Sequence, residues 1–357
     1  MTDSRAAAEA WLAAEPDADM REELAALLQG PADDLNARFT GRLQFGTAGL
    51  RGAVGAGPQR MNRLVVQQAA AGLVDYLLAN VPSAAEQGVI IGYDARRKSD
   101  VFALDTARVC AARGVKAMLF PHVVPTPVLA WNVTEVNAAA GVMVTASHNP
   151  PADNGYKVYL GTGSQIVPPA DTDISACIDR VDPCSVLLAD ADDPLIVRLG
   201  DAEVEAYLAS VPAVRLRPDV PGVPVAYTAM HGVGGATALA ALTRSIRIIV
   251  AINPAGLAPE LAAHQAETLE RVAPGRVAIN LVAGGGPEGR YGTPPLGHDD
   301  RYAQLAHLAR VVRERFTGPF YLGGASEAAL ALAVDQAQAY LMWGEPPERI
   351  AERIAAM

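Results

Sequence analysis

The stretch Thr145-Ala146-Ser147-His148-Asn149-Pro150 carries the densest chemistry in the chain, and it follows directly on the apolar run Ala140–Val144. A serine leaving the carboxyl end of a buried strand sits where open α/β sheets place their ligands. Its hydroxyl is a candidate nucleophile, with His148 and Asn149 beside it to position a phosphoryl group. The plainer alternative is a strand-to-loop turn in which Ser147 hydrogen-bonds its own backbone. Two glycine-rich stretches add to this chemistry. In Phe45-Gly46-Thr47-Ala48-Gly49-Leu50-Arg51-Gly52 small residues let backbone N–H groups approach an anion, and Arg51 supplies a fork matched to phosphate oxygens. In Asn154-Gly155-Tyr156-Lys157-Val158-Tyr159, Lys157 is a second cation or an acid/base group. Their alternatives are a glycine-rich turn and a solvated lysine on a short strand.

The elements that must hold these residues alternate. Ser4 to Leu28 reads as one helical pattern stopped by Gly30-Pro31. Asn62 to Leu78 repeats it, with Val65, Ala69, Leu73, Tyr76 and Leu77 on one face. Strand Val89–Gly92, helix Val101–Ala112, strand Val115–Phe120, helix Pro127–Val133 and strand Ala140–Thr145 then describe βα units around a buried sheet. Prolines scattered from Pro168 to Pro224 loosen the pattern, as in a crossing between domains with small elements such as a helix over Asp201–Ala209. Val223–Thr228 is strand-like and Gly235–Leu242 helix-like. The chain then runs through Thr243-Arg244-Ser245 into the strand pattern Ile246–Ile252 without the glycine that usually ends a helix. Four strands (246–252, 276–282, 320–322, 339–342) and four helices (259–272, 300–316, 326–336, 346–355) follow, half of what a closed (β/α)₈ barrel needs. The strands 223–228 and 246–252 would pair in parallel through a right-handed connection.

Composition bounds the partners. In 357 residues, 29 Lys and Arg against 39 Asp and Glu give a formal charge of −10, and no basic run offers a phosphate-backbone surface. Nucleic acid is therefore not an expected partner. Half the residues are hydrophobic, which excludes a disordered chain. The most apolar stretch, Ala117 to Thr134, contains Pro121, Pro125 and Pro127, so no membrane span is expected. Cys110, Cys177 and Cys184 match neither a disulfide framework nor a zinc spacing, and the first residues lack a signal-peptide pattern; the expected location is the cytoplasm.

The Ser147 and Lys157 stretches together resemble the phosphoserine loop of the α-D-phosphohexomutases, the phosphoglucomutase and phosphomannomutase superfamily. Phe45–Gly52 followed by Arg60-Met61-Asn62 resembles its N-terminal motif in the bacterial phospho-sugar mutase branch. Gly92-Tyr93-Asp94-Ala95-Arg96 and Met230-His231-Gly232-Val233-Gly234-Gly235 extend the resemblance over about residues 1–242. It implies that Ser147 carries a phosphoryl group between the hydroxyls of a phosphorylated sugar. Arg51 would contact that phosphate, His148 assist, and Lys157 act as acid or base. Thr47, Gly49, Asn149 and His231 would line the phosphate site, and Mg²⁺ would bind through the Ser147 phosphate. The family's Asp-Gly/Pro-Asp-Ala-Asp-Arg metal loop has no match here. Asp190-Ala191-Asp192-Asp193 lacks the following Arg and reads as a solvated turn. The third-domain sugar loop and fourth-domain phosphate loop are also missing, so net turnover is expected to be impaired.

From about Ile246 onward the chain resembles the luciferase-like, flavin-dependent monooxygenases, nearest the alkanesulfonate monooxygenase branch. The resemblance rests on Arg276–Gly285, His298-Asp299-Asp300-Arg301-Tyr302, Tyr321–Ser326 and Tyr340-Leu341-Met342-Trp343-Gly344-Glu345-Pro346-Pro347. It implies FMN, with Gly323, Gly324 and Ser326 holding the flavin phosphate at a helix N-terminus, and His298 orienting the helix that follows. The open edges of four βα units are candidate sites of self-association. The expected fold is α/β throughout: a three-layer α/β/α mutase-type domain over 1–168 with the phosphoserine loop, a partial second α/β domain over 169–242, and a half barrel over 243–357. The expected function is an impaired phospho-sugar mutase. The alternatives are an FMN-dependent monooxygenase relative and a non-catalytic fusion of two truncated enzymes.

Overall fold

The computed structural model describes residues 4–214, 232–235, 237, 248–252, 258–283, 297–324, 326–341 and 348. The chain divides into two compact units, Met1–Val214 and Arg215–Met357. The expected strand 223–228, the residues joining it to strand 248–252, and the final helix lie outside the described residues, apart from a few isolated positions.

Unit one opens with α1 (Ser4–Ala14), α2 (Ala18–Gln29) and α3 (Ala32–Phe39). The single helix expected over Ser4–Leu28 is broken at Pro16, whose ring fixes φ, removes a backbone donor and biases Glu15 away from helical geometry. Then follow β1 (Leu50–Ala53), α4 (Arg63–Asn80), α5 (Ala84–Gln87), β2 (Val89–Tyr93), α6 (Ser99–Ala112), β3 (Ala117–Leu119), α7 (Thr126–Glu135), β4 (Ala140–Val144) and β5 (Asp153–Leu160). Asn62 starts α4: its Oδ1 accepts from the Val65 N–H at 3.0 Å, while its Nδ2 donates to the carbonyls of Gly55 and Gly57. One fully buried side chain thus caps the helix and pins the loop that returns from β1.

The region 169–214 holds α8 (Ala170–Asp179), β6 (Ile196–Arg198) and α9 (Ala202–Ser210). Neither α8 nor β6 stands out in the sequence, because prolines flank α8, and β6 follows Pro194 and is three residues long. Yet β6 pairs in parallel with β3 and completes a six-stranded sheet of order β1-β5-β4-β2-β3-β6. Strands β2, β3, β4 and β6 are parallel, whereas β5 runs antiparallel to both β4 and β1. One face packs Ile91, Val142, Val144, Tyr156 and Val158 into the large core shared with α4 and α6. The other packs Ile90, Met118, Phe120, Met143 and Tyr159 against α7 residues Val128, Leu129 and Val133. The result is a three-layer α/β/α domain.

Unit two contains β7 (Ile248–Ile252), α10 (Pro259–Val272), β8 (Val277–Val282), α11 (His298–Arg313), β9 (Phe320–Gly323), α12 (Glu327–Gln336) and β10 (Ala339–Leu341). Its four strands form a parallel sheet of order β10-β9-β8-β7. Ile279, Leu281, Leu308, Val312, Phe316, Phe320 and Leu322 fill the core between sheet and helices. This is the βα succession that the alternating pattern predicts, with α11 starting two residues earlier than expected because Gly297 takes the cap position. No described helix is long and apolar enough to cross a membrane.

Candidate active site

The carboxyl ends of β2 and β4 and the middle of β5 converge at one place. Two glycines make the approach of β1 possible. A Cβ on Gly155 would lie 2.6 Å from the Thr145 carbonyl oxygen and 2.7 Å from that of Leu50, both backbone. A Cβ on Gly49, which has φ +75°, would overlap the Tyr156 carbonyl oxygen. Arg51 is therefore registered directly opposite Gly155, whose carbonyl in turn accepts from the Thr145 N–H at 3.1 Å.

Lys157, two residues on, lies on the same face of β5 as Gly155 and opposite Met143 of β4. It is 8% exposed, so the solvated-lysine alternative does not hold. Burial lowers its pKa, and repulsion from Arg51 lowers it further, against a smaller pull upward from Asp94. Arg51 also lies near Tyr159, whose hydroxyl burial pushes upward. The Arg51 Nε is buried and makes no hydrogen bond. Two cationic side chains thus share a confined space, one with a buried donor unmet. Such an arrangement favours an anion.

Ser147 is exposed and holds φ +60°, in the left-handed region that a residue with a Cβ adopts at a cost of about 1 kcal/mol. Its N–H donates to Thr145 Oγ1 at 2.9 Å, and Thr145 Oγ1 donates to Asp94 Oδ2 at 2.6 Å. Asp94 stands just past the end of β2 and also accepts from Ser99 Oγ and from the Arg96 N–H. The turn of the plainer reading is therefore present, but it is built by Thr145 and Asp94, and it leaves the Ser147 side chain outward.

The other expected site residues are placed as follows. His148 is exposed beside Ser147. Asn149 donates through Nδ2 to Asp153 Oδ2 at 2.9 Å, within its own loop. Thr47 sits at the exposed tip of the tight Gly46–Gly49 turn, and its carbonyl accepts from Gln165. His231 lies outside the described residues. In unit two, Gly323 ends β9 and Ser326 caps α12, its Oγ accepting from the Ala329 N–H at 3.2 Å. The Gly324 carbonyl accepts from Tyr340 Oη, and a Cβ on Gly324 would meet the Ala329 methyl at 2.6 Å. The turn is thus close-packed, with its serine already used as a cap.

The Mg²⁺ expected by resemblance finds no ligand set among the described residues. Among the described residues no group of three or more His, Cys, Asp or Glu is arranged to hold a metal ion. The carboxylate beside the Ser147 loop, Asp94, is taken up by Thr145, Ser99 and Arg96. The donors here suit an anion and do not fit a divalent cation.

A stability test follows from Lys157. Its lowered pKa means that folding disfavours the ammonium. That penalty is present in full while both folded and unfolded chains hold the proton, and it fades as pH rises through the folded value towards the ordinary 10.5. Lys157→Met is therefore expected to unfold at higher urea than the parent at pH 7, with the difference shrinking as pH rises towards 10.5. Equal midpoints at pH 7 would show that Lys157 is not strained by its surroundings.

Residues 42–183 match the family described as phosphoglucomutase/phosphomannomutase, alpha/beta/alpha domain I, and residues 232–357 match the luciferase-like monooxygenases. A Haemophilus influenzae protein named as a probable phosphomannomutase is 50% identical over 177 residues, covering 49% of this chain and 36% of that protein. A Schizosaccharomyces pombe protein named as a probable phosphoribomutase is 48% identical over 173 residues, covering 48% of this chain and 29% of that one. A solved phosphoglucomutase/phosphomannomutase family protein from Burkholderia thailandensis aligns at 14% identity and a TM-score of 0.41, over 88% of this chain and 68% of that one. The chain spans about a third of the length of the curated relatives it matches. By sequence, the segment 42–183 is similar to the first domain of the phosphoglucomutases and phosphomannomutases, and the segment 232–357 is similar to the luciferase-like monooxygenases.

Proposed function

We propose that this chain accepts a phosphoryl group on Ser147 from a phosphorylated sugar, as the first half of a phospho-sugar mutase reaction. The observation that carries the reading is an exposed, conformationally fixed Ser147 at the same end of one sheet as the half-buried Arg51 and the buried Lys157. In the transfer, Ser147 Oγ bonds to phosphorus as the ester bond to the sugar oxygen breaks. The hydroxyl proton passes to a base, for which Lys157 in its neutral form and His148 are the candidates, and a proton returns to the departing sugar oxygen. Phosphoryl transfer is mainly positioning and neutralisation of the equatorial oxygens, and Arg51 and Lys157 are the groups here that supply the charge. Thr47, Gly49, Asn149 and His231 complete the proposed phosphate surroundings.

In this reading the phosphoserine domain extends past the expected 168 to take in α8 and β6, the rest up to 242 is the remnant of a second mutase domain, and 243–357 is a half barrel. We propose that sustained conversion is impaired, because the stretch that follows the mutase-like segment has no match to the family's metal loop. Two assays separate the parts of the proposal. Glucose 1,6-bisphosphate is expected to phosphorylate the chain to at most one group, absent in Ser147→Ala. Hexose 1-phosphate supplied with catalytic bisphosphate is expected to give 6-phosphate only very slowly. Rapid sustained conversion would overturn the impairment and leave the phosphoserine step standing.

For the second unit, the match to luciferase-like monooxygenases and the glycine turn at the end of β9 support a reading in which Gly323, Gly324 and Ser326 meet an FMN phosphate. The capping role of Ser326 makes that binding weak, and quenching of FMN fluorescence on titration tests it. Among the described residues β7 and β10 are the outer strands of their sheet, and a second copy pairing there is the self-association we propose.

A further inference from the structure

The loop that presents Ser147 is held by a residue to which nothing above assigns a role. Arg96 follows β2 by three residues, and its guanidinium reaches across to the end of β4. Its Nη1 donates to the carbonyls of Pro150 at 2.8 Å and Asp153 at 3.0 Å. Its Nη2 donates to those of Ser147 at 2.9 Å and Asn149 at 2.8 Å. Its Nε lies 3.4 Å from Asp94 Oδ2, the oxygen that also accepts from Thr145. Every nitrogen of the fork is therefore engaged with the loop or with the carboxylate that holds the loop. A cation in this state has no donor pointed at a ligand, in contrast to Arg51, whose buried Nε makes no hydrogen bond.

We infer that Arg96 is a positioning residue: it gathers four carbonyls of the 147–153 loop and so fixes the left-handed backbone that turns the Ser147 hydroxyl outward. This rests on the proposed phosphoserine chemistry for its catalytic meaning, but not for its structural content. Asp94 is the second arm of the same device. It holds Arg96 through its side chain and peptide N–H, and it holds the Ser147 N–H through Thr145. A lysine cannot replace the fork, because one ammonium cannot serve four carbonyls spread across a loop.

The test uses the full-length chain with Arg96→Ala and Arg96→Lys, and it follows phosphoryl uptake against glucose 1,6-bisphosphate concentration. The maximal rate is expected to fall about 100-fold in both, as for a reacting atom displaced by about 1 Å. The half-saturating concentration should stay within about threefold of the parent, since Arg96 does not touch the ligand. Millimolar methylguanidinium should restore part of the rate to Arg96→Ala and none to Arg96→Lys. Hydrogen exchange of the segment 146–153 should quicken while that of α4 and α6 does not; should Arg96→Ala fail to fold, Arg96→Gln carries the same comparison. A raised half-saturating concentration at unchanged maximal rate would make Arg96 a phosphate ligand and overturn the inference. Unchanged rate and exchange would overturn it too. If the parent chain takes up no phosphoryl group, the functional reading fails, and the exchange comparison still decides whether Arg96 holds the loop.

Discussion

Arg51→Met is expected to slow phosphoryl transfer to Ser147 by about 10²- to 10³-fold while making the ligand-free chain more stable, by about 1 kcal/mol. Both effects have one origin. Arg51 is brought opposite Gly155 by the β1–β5 register, and its Nε is buried with no acceptor in reach. It also repels Lys157. In the free protein these are costs, namely an unmet donor and two like charges in a confined space. A phosphoryl group between them reverses the sign of each, accepting from the guanidinium and neutralising both cations. Preorganised charge of this kind acts most strongly where charge is being transferred, so its loss falls on the rate. Methionine fills much of the same volume without charge or donor. Urea unfolding and phosphoryl uptake, measured on the same preparation, should move in opposite directions. Loss of stability together with unchanged transfer would place Arg51 in the scaffold and outside the chemistry.

Gly49→Ala is expected to destabilise unit one by about 3 kcal/mol, while Gly46→Ala, three residues away in the same motif, should change stability by no more than about 0.5 kcal/mol. A methyl on Gly49 would overlap the Tyr156 carbonyl oxygen in a backbone already at φ +75°. The neighbour is backbone in a central strand and cannot turn aside. To make room, β1 would have to leave β5, carrying Arg51 with it. A methyl on Gly46 meets nothing within 4 Å. The pair separates the structural use of glycine from mere glycine content. Comparable losses in the two variants would show that the overlap with Tyr156 is not what sets the cost.

This contrast also marks how far the sequence could be read. The alternation of apolar runs and helical patterns locates β2, β4, β7, α4, α10 and the Ser147 loop within a few residues, because each is a local signal of periodicity or capping. The break at Pro16 was written in the sequence but masked by helical patterns on both sides. Strand β6 was not legible: Ile196–Arg198 becomes a strand only because β3 offers a free edge beside it. The burial of Lys157 was equally hidden, since a lysine among Tyr156, Val158 and Tyr159 reads as the solvated face of a short strand until β1 and β4 flank it. Arg96 is the largest omission. It stands in Gly92-Tyr93-Asp94-Ala95-Arg96, a stretch that marks the superfamily resemblance, yet its partners are four backbone carbonyls more than fifty residues away. Side-chain identities carry no trace of such acceptors. The usable hint was topological: β2 and β4 are parallel neighbours, so an arginine just past one strand end can reach the loop leaving the other.

The central claim, that Ser147 is the phosphoryl acceptor, is tested most directly by incubating the full-length chain with glucose 1,6-bisphosphate and mapping the modified residue by mass spectrometry of peptides. The expected result is one phosphoryl group on Ser147, and none anywhere in Ser147→Ala. A parent chain that stays unmodified at saturating bisphosphate, or a phosphoryl group that persists at another residue in Ser147→Ala, would contradict it.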